Sequence, residues 1–206
     1  MPVLTRAAAR RLETGDDEAV SSLALRETVT NKADAVWSHR GGVDVYCGAA
    51  RTDTEKPQVD HCLEVQLAEM ALVRAYTSNP SSRSQSMATT QAVEMIRNHF
   101  NGVGNLNVTS ARINQAKRGP FTAAINRLQG DKLRTVTLEQ LARQGRARWL
   151  VDDGTWTRIE RAVVCSYDDA HAALVAGGTP ALPGAVELVE SSMEELNNML
   201  DTLGVS

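Results

Sequence analysis

Asp60-His61 sets a hard oxygen ligand directly beside a nitrogen base. An imidazole titrates near pH 6.5 in its free state, so a neutral ring is on hand near pH 7 to take a proton from water. The segment NLNVTSARINQAKR, residues 105 to 118, adds Asn105 ahead of Leu106, Asn114 nine positions later and Lys117 three further on. An asparagine oxygen can bind a hard divalent cation or tie down a loop. Arg112, Lys117 and Arg118 flank Asn114 and could meet phosphate. A base, hard oxygen ligands and nearby cations are what hydrolysis of a phosphodiester demands: water must be activated, and charge on the phosphate must be neutralised.

Alone, an Asp-His pair says little, because any dipeptide recurs by chance in a surface pair or at a strand-end turn. Asn105 and Asn114 taken singly read equally well as a turn residue and a polar helix-face residue. The joint order is what informs: DH closing one extended segment, NL opening another, and N-x-x-K on the helix that follows. This pattern resembles the HNH, or ββα-metal (His-Me finger), nuclease superfamily, over about a third of the chain, and such domains include those of Crinkler-type effectors. The resemblance implies that His61 is the general base and that Asp60 and Asn114 hold Mg²⁺ or Mn²⁺. It implies that Asn105 ties the loop and orients His61 through its backbone. Arg112, Lys117 and Arg118 become the nucleic-acid contacts, with DNA or RNA as substrate.

The chain departs from the usual pattern in three ways. Ser110 and Ile113 stand where a zinc-binding CxxC pair would be, so no zinc knot is expected. The third position is asparagine, which gives an H-N-N variant. Forty-three residues separate His61 from Asn105, which implies a helical excursion inside the finger. His99, Asn101 and Asn107 compete with Asn105 for the middle role. Glu64 is either a hydrogen-bond partner of His61 or a helix N-terminal acid favoured by the dipole.

The elements needed to position these residues follow from local pattern. Residues 4 to 38 read as helical and 43 to 48 (VDVYCG) as a short strand. QVDHCLEVQL begins extended and turns into a helix reaching about Tyr76. Residues 77 to 90 are rich in Ser and Thr and read as a loop, before a helix from 91 to 100. NLNVTS is a short strand. A helix over 110 to 118 is expected to stop ahead of Pro120, with another over 121 to 129. Thr137 is a candidate N-cap for 138 to 147, and 155 to 176 form a long helix. GGTPALPG reads as a linker, and residues 185 to 203 carry a heptad-like apolar stripe. The expected fold is mainly α with a small ββα-metal finger, α+β in class. Its divisions are an HNH-like domain with a helical shell at 1–176 (core finger about 43–130), a linker at 177–184 and an acidic amphipathic helix at 185–206.

Composition sets the outer limits. The 206 residues are 42% hydrophobic and 23% charged, with net charge −3, as in an ordinary globular domain. Three cysteines without a CxxC pair argue against a disulfide framework or a four-cysteine zinc site. No stretch approaches the roughly 20 apolar residues of a membrane span. The start of the chain lacks the apolar core of a secretory signal, so an intracellular place is expected, in nucleus or cytoplasm, including that of a host cell. The overall charge disfavours a nucleic-acid partner, but its distribution is uneven. Residues 112 to 148 hold nine Lys/Arg against two acids, whereas 185 to 206 hold five acids and no base. Two rival readings stand beside the nuclease: a catalytically idle HNH-like module that binds nucleic acid or protein, and a helical interaction protein.

Overall fold

A computed structural model of the chain describes residues 23–50, 57–79, 86–130, 136–145, 147–176 and 182–205. The expected helix over residues 4 to 22, the loop residues 80–85 and the linker residues 177–181 lie outside these. In the described part the fold is mostly helical, with one two-stranded antiparallel sheet. The elements in chain order are α1 (Ala33–His39), β1 (Gln58–His61), α2 (Val65–Ser78), α3 (Ser86–Phe100), β2 (Leu106–Thr109) and α4 (Ala111–Gln129). Then come α5 (Leu138–Gln144), α6 (Ala147–Leu150), α7 (Asp153–His171) and α8 (Pro183–Thr202). No helix among the described residues is long and apolar enough to cross a membrane.

The sheet pairs Gln58 with Thr109, Val59 with Val108, Asp60 with Asn107 and His61 with Leu106. Its register is fixed by burial: Leu106 and Val108 pack with Val29, Val36 and Val59 in a small apolar cluster beneath α1. The other face of β2 is polar yet buried, and Asn107 and Thr109 both bond to the Asp44 carboxylate at 2.7 Å. α4 leaves β2 at once, because the Ser110 hydroxyl caps it by accepting from Ile113 N. Ser110 and Ile113 are thus joined by a helix cap.

Several expectations are corrected. Residues 23 to 29 are not helical; only a short 3-10 turn at Thr30–Lys32 precedes α1. Residues 43 to 48 form no strand beyond a single bridge of Val43 to Ala50. Asp44 bends the chain there by accepting from Tyr46 N at 2.9 Å, and Gly48 turns it at φ +73. A side chain that captures the backbone two residues on competes with a strand ladder. α3 begins at Ser86, so part of the expected loop is helix.

Pro120 does not end a helix, because α4 runs through it as one 19-residue element. The preceding Gly119 has no Cβ to clash with the proline ring, which removes part of the usual barrier. Ala116, Lys117, Phe121 and Ala124 bury the same side of the helix on both sides of the proline, and that packing outweighs one missing N–H.

The acidic helix α8 packs mainly on α2 and α3 and belongs to the main core. Leu188, Val189, Met193, Leu196, Met199 and Leu200 are all buried along it. Its C-terminus is tied down where Leu138 N donates to Leu203 O at 2.8 Å. Gly204, at φ +66, closes the helix in the left-handed conformation suited to glycine.

Candidate functional site

Four of the residues singled out by type, Asp60, His61, Asn105 and Asn114, gather on the sheet, the turn before β2 and the first turns of α4. Alternation along β1 sends neighbours to opposite sides. Gln58 and Asp60 meet α4: the Asn114 amide donates to Gln58 Oε1 at 2.7 Å, and Lys117 Nζ lies 2.9 Å from Asp60 Oδ2. His61, at the end of the strand, meets Asn101 at the end of α3, with Nε2 3.2 Å from Oδ1.

Asn105 occupies the turn before β2 and grips the chain that follows His61. Its Oδ1 accepts from Leu63 N at 2.8 Å, and its Nδ2 donates to the carbonyls of Leu63 and Phe100, both at 2.9 Å. Cys62 N donates to the Asn105 carbonyl at 2.7 Å. This side chain is 1% exposed and its hydrogen bonds are all to backbone, so it sets the course of residues 61 to 63. Arg40 reinforces the same turn through the carbonyls of Gly104 and Leu106.

Asn101 is fixed even more completely. Its Nδ2 donates to the Leu25 and Arg97 carbonyls at 2.7 and 2.8 Å, and its Oδ1 accepts from Glu27 N at 3.3 Å. Oδ1 therefore faces His61 as an acceptor, so Nε2 of the imidazole carries the proton and Nδ1 keeps the lone pair. His61 is 6% exposed, and this burial pushes its pKa down to about 4, against a smaller upward pull from the Asn101 hydrogen bond. The ring is neutral over the physiological range.

The charged centre is built on Lys117. Its side chain is wholly buried, and its ammonium pairs with Asp60 Oδ2 at 2.9 Å and Glu64 Oε1 at 2.7 Å and donates to the His61 carbonyl. Lys117 thus does not reach the surface, contrary to the expected phosphate contact. Burial alone would discharge it, but the two carboxylates outweigh that and raise its pKa. Burial raises the Asp60 pKa, with Lys117 pulling the other way and Glu64 adding to the rise. For Glu64, the Lys117 ammonium overcomes burial and holds the carboxyl below its ordinary value. Tyr46 completes the group by donating to Asp60 Oδ2 at 2.9 Å. Its own pKa is raised by burial and by the neighbouring Asp60 charge, so it remains a donor.

Among the described residues, no group of three or more His, Cys, Asp and Glu side chains is arranged to hold a metal ion. What fits a cation is weaker. Asp60 Oδ1 and Asn114 Oδ1 are hard oxygens without a hydrogen-bond partner among the described residues, on facing stretches of β1 and α4. Such a pair suits a loosely held ion whose remaining ligands are phosphate and water. Arg112 and Arg118 are exposed on α4, with the Arg112 Nε donating to the Leu150 carbonyl.

Of the competitors for the middle role, Asn101 contacts the His61 ring, Asn107 is engaged with Asp44, and His99 stacks edge-on against Phe100. Sequence reasoning missed Tyr46 and Arg40. Tyr46 lies in a run of strand composition, and only its hydroxyl, in a chain with three tyrosines, hints otherwise. No protein-family profile, curated protein or solved structure matches this chain.

Proposed function

We propose that this protein is an HNH-type, metal-dependent endonuclease that hydrolyses phosphodiester bonds of DNA or RNA, and that its strand–strand–helix unit is a ββα-metal finger. The observation that carries this reading is the convergence of the motif. Residues 44 positions apart in sequence, His61 and Asn105, meet at one end of a two-stranded sheet, and the helix bearing Asn114 follows directly. His61 takes a proton from water at Nδ1, the nitrogen left free by the Asn101 bond. Asn105 and Asn101 hold the ring and the chain beneath it in place, which is positioning and not proton transfer. Asp60 and Asn114 would hold Mg²⁺ or Mn²⁺. That ion supplies charge neutralisation at the phosphate and the leaving oxygen. Arg112 and Arg118 bind phosphates along the strand. Such an enzyme works inside a cell, in nucleus or cytoplasm, its own or a host's.

The deciding experiment is plasmid nicking and RNA cleavage by the purified protein with Mg²⁺ or Mn²⁺ and with EDTA, for wild type and His61→Ala. Cleavage that needs both the metal and His61 supports the proposal. Equal cleavage by the variant removes His61 from the mechanism.

Two observations favour a second reading, an idle HNH-like module that binds nucleic acid. Asp60 is already neutralised by Lys117, and His61 is 6% exposed, which limits the access of water. Absence of cleavage with any divalent ion, together with retained nucleic-acid binding, would select that reading.

A further inference from the structure

We infer that Lys117 is a resident counter-ion in an oxygen cradle formed by residues 60 to 64, and that a divalent cation at Asp60 binds in competition with it. This rests on the reading of Asp60 as a cation ligand. Three oxygens surround the ammonium: Asp60 Oδ2 at 2.9 Å, Glu64 Oε1 at 2.7 Å and the His61 carbonyl. Two carboxylates and a carbonyl are the donors a hard divalent ion selects. All three come from one five-residue stretch that leaves β1 and enters α2, so a single stretch of chain wraps the ammonium. The ammonium also lies 4.9 Å from the Phe121 ring centroid and 6.0 Å from that of Tyr46, which encloses it.

Two consequences follow from charge. The lysine offsets the repulsion between the two carboxylates of the cradle. Two carboxylates against one ammonium still leave a negative excess, which attracts a second cation. Any ion that reaches Asp60 then stands beside a fixed positive charge in a poorly screened interior, and the repulsion weakens its hold. Lys117 is therefore set against the metal for the same carboxylate, and Asp60 binds a divalent ion fully only when the ammonium withdraws.

The test is metal binding by the full chain, read without any cleavage assay. Titration calorimetry with Mn²⁺ should show Lys117→Met binding about tenfold or more tightly than wild type, since the repulsion is gone and the chain volume is kept. Adding Asp60→Asn to Lys117→Met should abolish the gain. Equal binding by wild type and Lys117→Met, including no binding by either, overturns the inference, as does a gain that survives Asp60→Asn. Should Lys117→Met not fold, wild type supplies the readout through the ¹⁵Nζ resonance of Lys117 in a Mg²⁺ titration. The signal should move saturably together with the amides of Asp60 and His61. A Lys117 signal that stays fixed, whether or not those amides respond, overturns the inference. A protein that shows the competition yet never cleaves nucleic acid loses the nuclease reading and keeps this one.

Discussion

The His61 Nε2 donates its proton to Asn101 Oδ1 across 3.2 Å, and the bonds on the far side of Asn101 leave that amide no alternative orientation. A neutral ring of fixed tautomer has one basic atom, Nδ1. Burial holds the ring pKa at about 4, so loss of the base by protonation belongs to acid conditions. Cleavage should not decline through the usual histidine range as pH falls from 8 to about 6. Long-range ¹H–¹⁵N spectra should report an Nε2–H tautomer over that range, and a ring that titrates near 6.5 would contradict the assignment. His61→Ala should lower the cleavage rate by about two to four orders of magnitude with substrate affinity retained, measured in parallel by nicking and binding assays.

The same shift predicts how stability responds to acid. The folded pKa lies below the unfolded value, so the unfolded chain binds more protons between the two. His61 therefore contributes its stability in full above about pH 6.5, and that contribution is lost as pH falls through about 4. The size of the loss is about 3 kcal/mol. Urea unfolding at pH 7 and pH 4.5 should show a larger drop for wild type than for His61→Gln, which lacks the titrating ring. Equal drops would mean that the imidazole is not buried as a neutral group.

Part of this arrangement was legible in the sequence. Asp60, His61, Asn105 and Asn114 are linked by residue type and order, so pattern alone picks them out, on β1, the turn before β2 and α4. The Lys117 centre, which binds Asp60 and the His61 carbonyl, is hidden for a physical reason. A lysine three residues after an asparagine on a helix reads as a solvated cation, and nothing local says that Asp60 and Glu64 wait for it 53 and more positions away. VDVYCG has strand composition, whereas the Asp44 side chain recasts it as a turn. Pro120 was read by its ordinary rule, and Gly119 with the buried side of α4 overrides that rule.

Asn105 should matter to folding before it matters to rate. Its side chain satisfies one N–H and two carbonyls in the interior, and alanine leaves all three without partners. Asn105→Ala should cost about 2–4 kcal/mol of stability, given the penalty for buried unpaired backbone groups. Thermal or urea unfolding monitors this directly. A variant as stable as wild type would mean that water replaces the amide and that the turn is less closed than it stands here.

Removal of α8 should unfold the protein. Truncation at Gly184 deletes six buried apolar side chains from the helix itself, together with Leu203 and Val205 beyond it. Each such side chain contributes about 1.5–3 kcal/mol on burial, and a sum of about 12–24 kcal/mol is as large as or larger than the roughly 5–15 kcal/mol that separates folded from unfolded states. The Leu138–Leu203 backbone bond that ties α5 to the C-terminus is lost too. Circular dichroism of the truncated chain should show no cooperative transition. A cooperative melt close to that of the full chain would show the acidic helix to be an appendage, the arrangement its linker-like sequence had suggested.

Salt dependence separates the surface cations from the buried one. Arg112 and Arg118 are exposed on α4 beside Asn114, whereas Lys117 has no exposed surface. Each phosphate neutralised by a cation contributes about 0.9 to the slope of log K against log salt on duplex DNA, through counterion release. Replacing both arginines by alanine should therefore reduce the slope by about 1.8, or about 1.4 on a single strand. Lys117→Met should leave it unchanged, because a cation paired internally with Asp60 and Glu64 releases no counterions from the nucleic acid. The measurement is binding anisotropy with a labelled oligonucleotide across a salt series, with His61→Ala, the variant that the proposed mechanism makes inactive, as the common background so that the ligand stays intact. An unaltered slope in the double arginine variant would take this face of α4 out of the interface. A slope that flattens in Lys117→Met would show that the lysine leaves its cradle when nucleic acid arrives.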